Sequence, residues 1–331
     1  MWRGAFFDKP YEDSQSVSSA SSITLKQSDK VSTSGQFNRV LIPLALDEHD
    51  GYLLSYAAQL AKSGIISHPH FVFVETTQTH NHLHAGVEFD KRMAKWTKQA
   101  GDALVDATYQ AVKAQSRLDA LVGYVLKNKI DLVLLGHRDH ANAHHSLAQR
   151  LAMLCGCSVW MVPENSPSQI QRIIAPIDFS QASADSLTQA AAIAAQYGVP
   201  EVLALHIYAD ESVIRYEEHE RIKRGEEASR FAQIMASVDS HGVLIKPLFT
   251  ESIQVAQEIL REAENYQADL IVINTRGHSK AACILLGSMT SAVMSHAAIP
   301  VLVIKHYGTH LSLWQTLLSG QFLRSGEAKA S

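Results

Sequence analysis

The sequence predicts an α/β protein of two tandem domains, each built on a mostly parallel sheet. Three observations predict it. Short apolar runs, of the kind that form strands buried on both faces, alternate with longer stretches of helical periodicity. The order of these elements repeats along the chain, with Pro43 matched by Pro176 and Asp131 by Asp269, offsets of 133 and 138 residues. Residues Ala268 to Lys305 then read as strand, glycine loop, helix and strand, an arrangement whose free helix-start amides suit an anion.

Composition narrows the function classes. The chain has 331 residues, 46% hydrophobic and 19% charged, enough for two ordinary cores. A net charge of -4 gives no global basic field for nucleic acid. No apolar run reaches the length of a membrane span. Asp8, Glu12 and Asp13 interrupt the first thirty residues, which carry no secretory h-region. Cys155, Cys157 and Cys283 form no disulfide framework, so a reduced, cytoplasmic setting is expected, with the Cys155-x-Cys157 pair buried as packing.

In chain order, residues 1–36 are serine-rich and read as a flexible tail. Val40 to Leu46 is a buried strand, and Tyr52 to Lys62 a helix with Leu53, Leu54, Ala57 and Leu60 on one side. His70 to Val74 is the second strand. One long helix fits Phe89 to Ala114, and another Leu118 to Lys127. Leu132 to Leu135 is a strand, Ser146 to Leu154 a helix and Val159 to Val162 a strand. A polar linker near Glu164 to Ser168 contains Pro167. The pattern then restarts: strand Ile173 to Ile177, helix Ala184 to Tyr197, strand Val202 to Tyr208, helix Glu217 to Val238, strand Val243 to Leu248 and helix Ser252 to Tyr266. Strand Leu270 to Ile273, helix Met289 to His296 and strand Val301 to Ile304 complete it. Domains are therefore expected at 37–164 and 165–308. Residues 309–331 form a tail whose Leu311, Trp314, Leu317 and Leu318 suggest a short amphipathic helix, packed on its own domain or a partner subunit.

The stretch from Asn274 resembles the nucleotide-binding end of the universal stress protein family. That family carries G-x-x-G, nine residues, then G-[S/T]. Here the register is Asn274-x-x-Gly277, nine residues, Gly287-Ser288, so only the first glycine differs. The closing AAIPVLVIK is also similar to the family's last strand. The resemblance implies a doubly wound fold with five-stranded sheets in the order 3-2-1-4-5. It implies a stress-response role, ATP or AMP as ligand, and homo-oligomers joined through last strands, with the C-terminal tail as another contact. Under the resemblance the first domain is degenerate. With a helix drawn through residue 114, its third strand, at the sheet edge, is expected to be missing or badly degraded.

Ligands of open α/β sheets sit at the carboxyl ends of the strands. In the second domain those ends are Pro176, Ile177 and Asp178; Ile207; and Ile273 and Asn274. The resemblance implies that Asp178 faces the adenine side, with backbone near Ile207, and that Gly277, Gly287, Ser288, Met289 and Thr290 surround ribose and phosphates. The chemistry agrees: Asp178 accepts from an exocyclic amine, and the hydroxyls of Ser288 and Thr290 donate to phosphate oxygens. Arg276 and Lys280 add positive charge. A side chain at Asn274 narrows the approach of backbone to ligand, while the tolerance of asparagine for positive φ keeps the turn. In the first domain Ala45 replaces Asp178 and no glycine pair follows Gly136, so no nucleotide is expected there.

Ten of the 17 histidines precede residue 146, and eight of them (His49, His80, His82, His84, His137, His140, His144 and His145) lie on loops expected at one end of the first sheet. His80, His82, His137 and His140 are candidate zinc ligands there, against the plainer reading of solvated loop histidines. His206, at a strand end, reads as structural. No nucleotidyl-transferase, P-loop or Ser-His-Asp motif is present and no catalytic residue is assigned. The sequence therefore points to a binding and regulatory protein. A metal or small-ligand sensor and a slow ATPase are the alternatives.

Overall fold

The structure, a computed structural model, describes residues 35–47, 50–76, 85–100, 106–137, 146–209, 217–275 and 286–305. The first half runs β1 (Val40–Leu44), α1 (Asp50–Lys62), β2 (Pro69–Glu75), α2 (Ala85–Ala100), β3 (Thr108–Lys113), α3 (Arg117–Asn128), β4 (Leu132–His137), α4 (Leu147–Leu154) and β5 (Ser158–Pro163). The second runs β6 (Ile173–Ile177), α5 (Gln181–Tyr197), β7 (Glu201–Tyr208), α6 (Glu217–Met235), β8 (Leu244–Glu251), α7 (Val255–Asn265), β9 (Leu270–Asn274), α8 (Ser288–His296) and β10 (Val301–Ile304). Both halves are doubly wound α/β domains.

The short apolar runs become strands because both of their faces are covered. In β9, Leu270 and Val272 point into one core while Ile271 and Ile273 point into the other. Each fully buried aliphatic side chain of this kind contributes about 1.5–3 kcal/mol. One core lies under α1, α2 and α5, and the other under α3, α4, α7 and α8. The first joins residues of both halves, among them Leu44, Trp160, Ile173 and Leu302.

All ten strands form one sheet in the order β3-β2-β1-β4-β5-β10-β9-β6-β7-β8. Within each half the pairing is parallel and the order is 3-2-1-4-5. The halves meet where β5 and β10 pair antiparallel, with Leu302 opposite Trp160. This corrects the expectation of oligomers joined through last strands. Both last strands already have two neighbours, so neither offers an unpaired edge. Among the described residues the free edges are β3 and β8, and β8 carries Pro247, a residue that blunts edge pairing.

The expected loss of the first half's third strand is also wrong. β3 is present and pairs with β2 over six positions, from His70↔Thr108 to Glu75↔Lys113. In place of one helix from Phe89 to Ala114 the structure has α2 over Ala85–Ala100 and β3 over Thr108–Lys113. The strand lacks a buried-strand signature because an edge strand has one partner and wet faces. Thr108, Gln110, Ala111 and Lys113 are exposed, and only Tyr109 and Val112 are partly covered. Tyr109 stacks on Phe71 at 5.4 Å, which holds the strand.

The repeat extends to backbone strain and to polar contacts. Positive φ recurs at Leu46 and Phe179, at Gly64 and Gly198, and at Lys129 and Gln267. Asp131 accepts from the amides of Asn38 and Arg39, and Asp269 from those of Gln171 and Arg172. Arg39 donates to the carbonyl of Asn128, and Arg172 to that of Tyr266. Each aspartate so ties the start of its fourth strand to the start of its first.

Residues 1–34 of the expected tail and all of 309–331 lie outside the described residues. No helix among the described residues is long and apolar enough to cross a membrane. Cys155 and Cys157 are buried, and their hydrogen bond together with burial pushes the Cys157 thiol well up.

Candidate functional site

The second half's candidate site is built where β6, β7 and β9 end, next to the start of α8. Register aligns these ends: Ile177 lies opposite His206, and Ile273 opposite Val303. Pro176, Ile177, Asp178, Ile207, Ile273, Asn274, Gly287, Ser288, Met289 and Thr290 are all described and lie at this end of the sheet. Gly277, Arg276 and Lys280 lie outside the described residues.

Asp178 follows β6 and shapes the turn into α5. Its Oδ1 accepts from the Ser180 amide at 3.1 Å and the Ser180 hydroxyl at 2.5 Å. Ser180 then caps α5 by accepting from the Ser183 amide. Phe179, between them, takes φ 60.

Asn274 is buried at the end of β9, and its Nδ2 donates to the carbonyl of Ala182 at 2.8 Å. The side chain thus straps β9 to the first turn of α5. Its backbone is not among the positive-φ positions, so the expected use of asparagine's tolerance for that region does not arise. Strand geometry, not a left-handed turn, sets this residue.

Gly287 precedes α8 at φ -60 and provides no side-chain cap, so among the described residues no side chain caps the helix-start amides. Its own amide donates to the carbonyl of Thr275 at 3.0 Å. A Cβ here would lie 3.1 Å from that same oxygen, so close backbone approach is what the glycine permits. Ser288 is exposed and Met289 half-buried. Thr290 corrects an expectation: it is 1% exposed, and its hydroxyl donates to the Asn274 carbonyl at 2.8 Å. The one hydroxyl proton is spent on the turn, so Thr290 is no phosphate donor. Neither this bond nor the Asn274 strap has a signal in sequence spacing.

A groove of about 1140 Å³ runs between α7 and α8 over Ala268 and Ile271. It shares only Ser288 and Met289 with the strand-end site and lies on the outer helical face, so it is not that site.

In the first half the matching place is filled. Gly136 stands where Asn274 stands, and a Cβ on it would lie within 2.3 Å of the Tyr52 hydroxyl. Tyr52 reaches past it toward the carbonyl of Val162. The turn after β1 is held by Asp50, whose carboxylate accepts from Ala45 and Leu46 amides. Of the candidate zinc ligands only His137 is described, at the end of β4; His80, His82 and His140 lie outside. No cluster of three metal-ligating side chains occurs among the described residues.

Residues 169–305 match the Universal stress protein family. A universal stress protein of Methanocaldococcus jannaschii is 29% identical over 147 residues, covering 43% of this chain and 85% of its own length. Among solved structures, a functionally unknown protein from Pseudomonas aeruginosa aligns with a TM-score of 0.62 at 18% identity, over 86% of this chain and 98% of its own. A universal stress protein from Archaeoglobus fulgidus aligns at 0.61 with 17% identity, over 82% of this chain and 98% of its own. At these identities the two structures speak for the fold of both halves.

Proposed function

We propose that this chain, whose residues 169–305 match the universal stress protein family, is a cytoplasmic stress-response binding protein that takes one adenine nucleotide, ATP or AMP, in its second half. The two halves, 37–164 and 165–308, are on this reading fused copies of one domain. The observation that carries the proposal is the asymmetry between them. The second half brings Asp178, a glycine-led helix start at Gly287 and the strand ends of Ile207 and Ile273 to one end of its sheet. The first half has Ala45 in place of the aspartate and Tyr52 packed over Gly136. Base recognition falls to Asp178 and the backbone near Ile207, and phosphate recognition to the amides of Ser288 and Met289.

Calorimetry on the full chain with ATP and AMP tests this. One nucleotide per chain is expected, with Asp178→Ala weakening affinity by about tenfold or more, as loss of a charged hydrogen bond predicts. Absence of binding, two equivalent sites per chain, or full affinity in Asp178→Ala would overturn it.

A further inference from the structure

Beside the candidate site lies a buried ionisable pair that none of the ligand contacts above uses. His206, at the end of β7, is 9% exposed, and Glu227, on α6, is 2% exposed. His206 Nδ1 lies 2.9 Å from the carbonyl oxygen of Ile177, and Nε2 lies 3.3 Å from Glu227 Oε2. That oxygen has no hydrogen-bond partner among the described residues, so its approach to Nε2 is an ion-pair contact, while Oε1 lies 3.6 Å from the largely exposed Arg230 guanidinium. The Phe179 ring covers the imidazole with centroids 4.1 Å apart, and Phe249 meets it edge-on at 6.5 Å.

The geometry fixes one proton. A carbonyl only accepts, so Nδ1 carries a hydrogen, and Nε2 faces the Glu227 carboxyl group. His206 is thereby tied at both ends, to α6 through Glu227 and to the last residue of β6 through Ile177. Asp178 follows Ile177 directly, and Ile207 follows His206.

The first half shows what this place looks like without the pair. Strand register puts Phe73 opposite Leu44, as His206 lies opposite Ile177. Phe73 stacks on Phe89 of α2 at 6.2 Å, and Leu46, the partner of Phe179 in positive φ, packs on the same core. Hydrocarbon thus suffices to join strand end and helix in this fold. Replacing a buried ion pair by apolar side chains is often neutral or stabilising, so stability alone does not account for the pair.

We propose that His206 and Glu227 are a positioning pair: they hold the Ile177 carbonyl, and with it Asp178 and Phe179, in the geometry that the second half's ligand requires. The proposal rests on the nucleotide reading above for the ligand, but the positioning itself is measurable without one.

The experiment uses the full chain and a double variant, His206→Phe with Glu227→Leu, which copies the first half's apolar solution. It is expected to fold, to shift the backbone amide NMR signals of Asp178, Phe179 and Ser180, and to bind ATP about tenfold more weakly. Glu227→Gln keeps a donor toward Nε2 and is expected to stay within about threefold of the wild type. Unmoved amide signals would overturn the positioning role whatever ATP does, and moved signals with undiminished ATP affinity would overturn its bearing on the ligand. Moved signals in a protein whose wild type binds no ATP would leave the positioning standing and remove the nucleotide reading. Nitrogen-15 spectra of the wild-type imidazole give a check that needs no variant: Nδ1 must bear a proton, and an unprotonated Nδ1 refutes the arrangement.

Discussion

Replacing Asn274 by glycine restores the residue that the family motif carries at this position, and the structure sets the consequence. The substitution removes the 2.8 Å bond from Nδ2 to the Ala182 carbonyl, a net loss of about 1 kcal/mol. Glycine in a strand adds about 0.5–1 kcal/mol of backbone entropy cost. The sum, about 1.5–2 kcal/mol, corresponds to a melting temperature lower by about 2–3 °C for a chain of this size. The same change takes a side chain out of the space between β9 and the first turn of α5. ATP affinity should therefore rise severalfold while stability falls. Thermal melts with and without ATP read both at once, because a ligand at a hundred times its Kd adds about 2.7 kcal/mol. The ATP-induced shift of Asn274→Gly should exceed that of the wild type at equal ligand. An unchanged melting temperature in the absence of ATP would refute the strap, and a smaller ATP-induced shift would refute its narrowing of the cleft.

Three further outcomes follow from single contacts. Thr290→Val keeps the shape and deletes the hydroxyl that holds the Asn274 carbonyl; it should cost about 1–2 kcal/mol in urea unfolding yet leave ATP affinity within about threefold. Gly136→Ala drives a methyl into the Tyr52 hydroxyl and should destabilise by about 1–3 kcal/mol, visible as a lower denaturation midpoint with no nucleotide binding gained by the first half. Asp131 carries a carboxyl whose pKa burial raises above 3.8, against the lowering effect of the Asn38 and Arg39 amides. A folded value above the unfolded one means that its contribution is fully present below pH 3.8 and is lost as pH rises through the raised value. The stability difference between wild type and Asp131→Asn should therefore shift in favour of the wild type as pH falls through that window, as pH-dependent melts would show.

How much of this was legible in the chain depends on which physical term decides each element. The runs VLIPL, IIAPI and LIVI declare themselves because a strand covered on both faces must be hydrocarbon throughout. TYQAVK does not, because an edge strand obtains its order from backbone pairing with β2, and pairing leaves no trace in residue type. A helical periodicity that starts in α2 accordingly continues through it in the sequence. The site divides in the same way. Asp178 and Gly287 follow from their places after a strand and before a helix, which pattern alone supplies. The Thr290 hydroxyl and the Asn274 amide found backbone acceptors that tertiary approach alone brings near. His206 and Glu227 meet across a strand end and a helix, and no spacing rule joins them.

The antiparallel junction governs how the two halves can relate. β5 and β10 run in opposite directions while every other pair is parallel, so the carboxyl ends of the first five strands and of the last five lie at opposite ends of the sheet. His137 therefore sits at one end, and Asp178 and Gly287 at the other. A metal held by first-half loops and a nucleotide held by the second half cannot share a coordination shell. Coupling between them has to pass through the packed junction. One polar bridge there is Gln149 of α4, 3% exposed, which donates to the Ser291 carbonyl at 2.9 Å and the Ser295 hydroxyl at 2.6 Å on α8. Because α8 begins at the candidate phosphate-facing amides, that bridge ties the first half to the helix that would feel the ligand.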